Sequence, residues 1–159
     1  ARGILDDLTR AMKAGSVVED VSTVEVGTVF DRAWSSQATA NGTREVEDGI
    51  LIQADAMALQ RMFENLVRNT FEHAEDTATV RVGSLSDGFY VEDDGPGIPK
   101  DERVKAVKPE YTTKEDGAGI GLVSIYQIAL AHGWEMTIDE GTDGGARFRF
   151  TDVELSSEP

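Results

Sequence analysis

The stretch that most restricts the architecture is residues 56–74, "AMALQRMFENLVRNTFEHA". Leu59, Met62, Phe63, Leu66 and Thr70 recur there every three or four residues, so a helix over this stretch carries one apolar stripe that must be covered. Asp55 stands just before it and is the predicted N-cap, because a carboxylate there accepts from the unpartnered N–H groups of the first turn. The segments around this helix have the other period. "TATVRVGSL" (77–85) and "GFYVED" (88–93) alternate and predict an antiparallel pair turning at Asp87–Gly88. Val24 and Val26 predict a short strand, residues 28–37 a helix, and residues 44–47 with 50–53 a hairpin around Asp48–Gly49. Residues 120–132 predict a second long helix ended by Gly133. "EMTID" and "GGARFRFTDVEL" predict a closing hairpin turned at Asp143–Gly144–Gly145. Strands gathered with long helices, without strict alternation, predict an α+β chain. We expect a two-layer α/β sandwich whose mixed, mostly antiparallel sheet is covered on one face by helices.

Two segments fall outside that pattern. Residues 94–118 lack sustained periodicity and predict a long loop with one helical turn near "ERVKAV"; a loop of that length in a compact domain is usually functional. Residues 3–14 place Ile4, Leu5, Leu8, Ala11 and Met12 at helical spacing up to Gly15, with no N-cap signal before them. They read as the end of a longer helix, and a start at Ala rather than Met reads as a fragment of a longer protein.

Composition removes several classes of function. With no cysteine, disulfides, thiolate catalysis and Cys-ligated zinc are excluded together. No apolar run is long enough to span a bilayer, and residues 1–15 lack the pattern of a signal peptide. There are 30 Asp and Glu against 15 Lys and Arg, a formal net charge of −15. Such a field repels polyanions, so neither nucleic acid nor an anionic membrane is expected as a direct partner. The acids are spread along the chain rather than gathered in a tail, which suits a solvated surface of the kind a high-salt environment selects. A docking face for a basic partner is the alternative.

Three short motifs carry chemistry. Asn65 and Asn69 lie one helical turn apart, with His73 a turn further on, and two carboxamides on one face can offer oxygen ligands to a hard cation such as magnesium. In "DDGPGI", Asp93 ends a strand, where a carboxylate can accept from the exocyclic amine of a base, while Gly95 and Gly97 let the backbone approach a flat ring. In "GAGIGL", Gly117, Gly119 and Gly121 open a helix and leave backbone N–H groups for phosphate. Each also has an ordinary structural reading, as solvated amides, a Gly-Pro turn or a flexible helix start.

Taken in order, these motifs resemble the GHKL ATP-binding superfamily, which takes in histidine kinases, gyrase and MutL, and within it the histidine-kinase catalytic domain with its Bergerat fold. "NLVRN" looks like the N box, "DDGPGIP" the G1 box and "GAGIGL" the G2 box, and a Gly-Gly pair precedes the last strand. The resemblance covers residues 20–155. It implies ATP and magnesium as cofactors. It implies that Asp93 binds the adenine amino group in a pocket shaped by Gly95, Gly97 and Ile98, that Asn65 and Asn69 hold magnesium against the triphosphate, and that His73 stacks near the sugar. Residues 100–118 would be the ATP lid, with Thr113 and Lys114 near the γ-phosphate and Gly117, Gly119, Gly121 and Leu122 donating to phosphates.

Residues 1–15 would be the tail of a dimerisation and histidine-phosphotransfer helix, residues 16–155 the catalytic domain and residues 156–159 a tail. The implied activity is transfer of the ATP γ-phosphoryl group to a histidine outside this chain, in the cytoplasm, with a response regulator downstream. Three positions depart from the family. Glu72 stands where a lysine or arginine usually faces phosphate, His73 where a tyrosine is common, and Ala146 where a small hydroxyl residue supports the adenine pocket. The Ala146 departure leaves that role to water or a neighbouring group. A gyrase- or MutL-like hydrolysing switch is the alternative; it would need a glutamate where Asn65 stands. A non-catalytic nucleotide-binding scaffold and an anti-sigma serine kinase are others.

Overall fold

The computed structural model describes residues 18–37, 42–73, 79–94, 117–141 and 144–156, with backbone alone for 72–73 and 117–121. In chain order the described elements are β1 (Val21–Glu25), α1 (Val26–Ser36), β2 (Thr43–Val46), β3 (Leu51–Asp55), α2 (Ala56–His73), β4 (Thr79–Leu85), β5 (Gly88–Asp93), α3 (Gly117–Ala131), β6 (Glu135–Glu140) and β7 (Ala146–Thr151). Five strands form one sheet in the order β2–β4–β5–β7–β6, parallel only between β2 and β4. Strands β1 and β3 pair antiparallel in a second sheet, and the chain end runs along β3, where Gln53 N–H donates to Glu154 O and Ser156 N–H to Leu51 O. Helices and mostly antiparallel strands thus make the expected mixed two-layer arrangement. Among the described residues no helix is long and apolar enough to cross a membrane.

The helical stripe is buried as its spacing requires. Leu59, Met62 and Phe63 are fully buried and Leu66 nearly so, against the inward residues Val80, Val82, Phe89, Val91, Phe148 and Phe150 of the larger sheet. Helix α1 adds Val26, Val29, Phe30, Ala33 and Trp34 at helical intervals. Aromatic rings tie the layers together: Phe30 meets Phe63 edge-on at 5.3 Å, Phe63 meets Phe89 at 6.0 Å, and Phe89 stacks on Phe150 at 4.9 Å. Removing the central ring, Phe63→Ala, would cost about 3–5 kcal/mol.

Asp55 caps α2 and fastens the N-terminal segment to it. Its Oδ1 accepts from Met57 and Ala58 N–H at 3.0 and 3.1 Å, and its Oδ2 from Glu19 and Asp20 N–H at 2.7 and 3.1 Å. The backbone N–H of Asp55 donates to His132 Nε2 at 3.0 Å, and His132 Nδ1 lies 2.9 Å from Ile128 O. His132 therefore carries its proton on Nδ1 and closes the end of α3. Burial pulls its pKa below the ordinary histidine value, against the opposing pulls of the Ile128 bond and the Asp55 charge.

On the face of the larger sheet away from the helices, one rung crosses all five strands with alternating charge. In register it reads Glu45, Arg81, Glu92, Arg147, Asp139. Arg81 Nε lies 2.9 Å from Glu45, Arg147 Nε 2.9 Å from Glu92, and Arg81 Nη1 3.8 Å from Glu92. Glu92 is only 4% exposed, so its charge is tolerable because cations flank it on both neighbouring strands.

Four expectations are corrected. Residues 43–46 and 51–55 do not form a hairpin: Asp48–Gly49 turns the chain, with Gly49 at φ 79°, but the two strands it joins diverge into different sheets. Glu47 N–H continues the β2–β4 ladder to Val82 O, whereas Ile50 O accepts from Val26 N–H beside β1. Val26 opens α1 rather than ending a strand, and is fully buried. Helix α3 begins at Gly117, three residues before the predicted start, so the glycines lie inside its first turns. The turn between β4 and β5 is Ser86–Asp87. Gly88 is already in the strand, where a Cβ would collide with the Phe150 carbonyl oxygen. The predicted helix over 3–14 and the loop turn near "ERVKAV" lie outside the described residues.

Candidate functional site

Asp93 closes β5 on the helix side of the sheet, in phase with the buried Phe89 and Val91. Its carboxylate is bracketed from two elements. The Thr70 hydroxyl on α2 lies 3.3 Å from Oδ2, and the Ala146 N–H at the start of β7 is 3.4 Å from Oδ1. Gly145 lies so close that a Cβ there would overlap the Asp93 carbonyl oxygen and come within 2.5 Å of Oδ1. A carboxylate has about four acceptor positions, so one group can hold the strand end and also receive a donor. The neighbouring acids do different work. Asp94 Oδ1 accepts from Thr79 N–H at 2.8 Å and fixes the strand end, while Glu92 sits in the charge rung on the opposite face.

Asn65 and Asn69 are on α2 as predicted, but they are not equivalent. Asn65 Oδ1 accepts from Arg68 Nη1 at 3.1 Å. Asn69 is 7% exposed, and its buried Oδ1 has no hydrogen-bond partner among the described residues. A buried carbonyl-type oxygen left unpaired costs about 1–3 kcal/mol. It is next in sequence to Thr70, which reaches Asp93, so one turn of α2 carries both an orphaned acceptor and a contact to the carboxylate. An oxygen of this kind fits a hard cation that keeps its waters and takes few protein ligands. Among the described residues no cluster of three or more His, Asp or Glu could hold a metal instead.

Helix α3 supplies the third part. Starting at Gly117, it leaves the N–H groups of residues 117–119 without intrahelical acceptors, and these groups with the helix dipole favour an anion. Gly117 and Gly119 therefore lie in that first turn, and Gly121 lies just past it. Leu122 is 4% exposed, and its side chain packs in the core beneath the helix start. Helices α2 and α3 pack against each other, which brings the asparagine helix and the glycine helix into one layer. The backbone of His73 ends α2. Gly95, Gly97, Ile98, Thr113 and Lys114 lie outside the described residues, as does most of the segment read as a lid.

Two residues outside the three motifs have defined roles here. Helical spacing places Thr70 only in the buried stripe; its position beside Asn69 is the available signal. Glu64 Oε2 accepts from Ser36 Oγ at 2.9 Å and from Gln60 Nε2 at 3.1 Å. It is thus committed to α1, as its 100° rotation from Asn65 implies. The open cavity of about 470 Å³ beside α1 is lined by Glu25, Thr28, Asp31, Arg44 and neighbours, and none of the residues above lines it.

Residues 54–156 match the family model described as histidine kinase-, DNA gyrase B-, and HSP90-like ATPase. Sporulation kinase A of Bacillus subtilis is 32% identical over 124 residues, covering 73% of this chain and 20% of that kinase. The chain therefore spans only a fraction of the length of the curated relatives it matches. Among solved structures, the ATP-binding domain of PrrB from Mycobacterium tuberculosis superposes with a TM-score of 0.67 at 21% identity, covering 87% of this chain and all of that one. The catalytic domain of the histidine kinase ThkA superposes at 0.69 with 19% identity, covering 86% of this chain and 97% of that domain. At such identities the superpositions speak to the fold.

Proposed function

Because this chain belongs to the histidine kinase-, DNA gyrase B-, and HSP90-like ATPase family, we propose that it is the ATP-binding catalytic domain of a sensor histidine kinase. In this reading Asp93 accepts from the adenine amino group, Asn69 contributes its amide oxygen to magnesium, and the N–H groups at the start of α3 hold phosphate. Magnesium would neutralise charge on the triphosphate and orient it for in-line transfer. Asn65, tied to Arg68, acts as a partner of that cation rather than as an equal metal ligand. Gly95, Gly97, Ile98, His73, Thr113 and Lys114 are assigned to the base, sugar and γ-phosphate ends by the family pattern. The observation that carries the reading is the buried Asn69 oxygen, which has no hydrogen-bond partner among the described residues, beside the Thr70–Asp93 contact.

The phosphoryl acceptor is a histidine on another segment or chain. His132 is already hydrogen-bonded through both ring nitrogens, which leaves it no part as a nucleophile. The partners are a dimerisation and histidine-phosphotransfer domain and, downstream, a response regulator. Because its substrate is ATP, the domain works in the cytoplasm. The experiment is phosphotransfer from labelled ATP and magnesium to a separately supplied phosphotransfer domain. Acid-labile label should appear on that partner and not on His73 or His132; label on either of these would contradict the assignment. The hydrolysing alternative is disfavoured by Glu64, which is turned to α1. A basal ATP turnover that collapsed in Glu64→Ala would restore it.

A further inference from the structure

We propose that the groove between α1 and the free edge of β2 is a docking site for an extended, basic peptide segment of a partner protein, taken up as an added strand. Strand β2 stands at one end of the five-stranded sheet and, among the described residues, pairs only with β4. In a parallel ladder the backbone groups of successive residues point alternately to one side and the other. Glu47 N–H donates to Val82 O at 2.9 Å, so the N–H and C=O of Glu45 also face β4, and those of Arg44 and Val46 face outward. An outward row of this kind is a template for another strand, and in such pairing the main chain supplies affinity while side chains supply specificity.

A wall across from this edge makes it a groove. The cavity of about 470 Å³ lies along β2, with Thr43, Arg44 and Val46 on one side and Thr28 and Asp31 of α1 on the other. The walls meet at Gly27, where an added Cβ would come within 3.1 Å of Val46 Cγ1, while Thr43 and Arg44 at the other end are exposed. Three acids line the space, Glu25, Asp31 and Asp48, against the single cation Arg44. Arg44 Nε lies 2.8 Å from Asp31 Oδ1 and offsets that charge, which leaves Glu25 and Asp48 in excess. Glu25 is held in place by Gly49 N–H at 2.9 Å and the Thr28 hydroxyl at 2.8 Å, and both bonds pull its pKa below the ordinary value. A lysine-bearing strand meets both features at once: its backbone pairs with Arg44 and Val46, and its side chains reach the acids. A second copy of this chain does not, because its net charge of −15 would be set against the same acids. None of the residues assigned to nucleotide lines the groove, so the proposal is independent of that assignment.

The test is fluorescence polarisation with a labelled hexapeptide of alternating lysine and valine, compared with its fully N-methylated counterpart and with a glutamate–valine version. The first should bind, and the other two should bind at least about tenfold more weakly, one for want of ladder hydrogen bonds and the other for its charge. Amide hydrogen exchange gives the location: the Arg44 N–H should exchange at least about tenfold more slowly with peptide bound, while the Glu45 N–H, already turned to β4, should not change. Arg44→Val and Arg44→Pro both remove the guanidinium, but only proline removes the outward N–H, at an edge position that tolerates it. Arg44→Val should bind the peptide at least as well as wild type, because Asp31 is released to it, and Arg44→Pro about fivefold more weakly than Arg44→Val. Thermal unfolding checks the fold; should Arg44→Pro not fold, Asp48→Lys takes its place, with binding expected to fall about fivefold. No binding at millimolar peptide, equal binding of the N-methylated peptide, or unchanged exchange at Arg44 would overturn the proposal. So would a concentration-dependent dimer that protects the Arg44 N–H without peptide, since the occupant would then be a second copy.

Discussion

Replacing Asn69 by leucine is expected to make the chain more stable and less able to bind nucleotide at once. Asn69 is 7% exposed and its Oδ1 has no hydrogen-bond partner among the described residues, so the folded chain carries that desolvation cost whenever the site is empty. The penalty for such an orphan is about 1–3 kcal/mol. Leucine has nearly the same branching and no acceptor to strand, so Asn69→Leu should recover about 1 kcal/mol after the loss of the amide's other contacts. For a chain of this size that raises the unfolding midpoint by about 2–4 °C. With MgATP at about 100 times its dissociation constant the wild type gains about 2.7 kcal/mol by mass action, and the variant should gain nothing. Thermal unfolding followed by circular dichroism, with and without MgATP, should therefore show the order of the two midpoints reversing. A variant less stable than wild type without nucleotide would mean the oxygen is satisfied in solution. A variant that kept the MgATP shift would remove Asn69 from the metal site. Either result refutes the reasoning.

Three further outcomes follow from the geometry. Gly145→Ala puts a Cβ against Asp93 backbone as well as side chain, which no rotamer change relieves. It should destabilise the fold by about 1–3 kcal/mol and weaken MgATP by more than about tenfold, read by unfolding and calorimetry. Burial lowers the His132 pKa, so the folded state resists protonation. Its stabilising effect is whole above about pH 6.5 and is lost as pH falls through that value toward the folded pKa. Urea midpoints from pH 7.5 to 5 should fall more steeply in wild type than in His132→Gln; identical slopes would dismiss the effect. With a net charge of −15, screening should relieve self-repulsion, and the unfolding midpoint should rise with potassium chloride. A flat or falling midpoint would count against an acidic surface suited to high salt.

What the sequence disclosed and what it withheld divide along physical lines. The α2 stripe, the Asp55 cap and the β4–β5 and β6–β7 pairs depend on neighbours within a few residues, and periodicity or turn chemistry reports such contacts directly. Partner choice for β2 and β3 does not: Asp48–Gly49 signals that the chain turns, not whether the strands on either side pair. Gly88 and Gly145 illustrate the same boundary. Both read as turn residues, yet each marks a place where a distant strand or carbonyl comes too close for a side chain. In the site, motif order brought Asn69, Asp93 and the α3 glycines forward. Only packing could separate Asn65, bonded to Arg68, from Asn69, whose oxygen has no partner among the described residues, or reveal that a hydroxyl on α2 meets a carboxylate 23 residues away.

The central claim is that Asp93 and Asn69 form one nucleotide site, and calorimetric titration of ATP into the chain, with and without magnesium, tests it most directly. Wild type should bind in a magnesium-dependent manner. Asp93→Asn should bind at least about tenfold more weakly, the loss of one charge-assisted hydrogen bond, with an unfolding midpoint close to that of wild type. Absence of magnesium-dependent binding at millimolar ATP, or equal binding by Asp93→Asn, would contradict the account and leave a nucleotide-fold scaffold in its place.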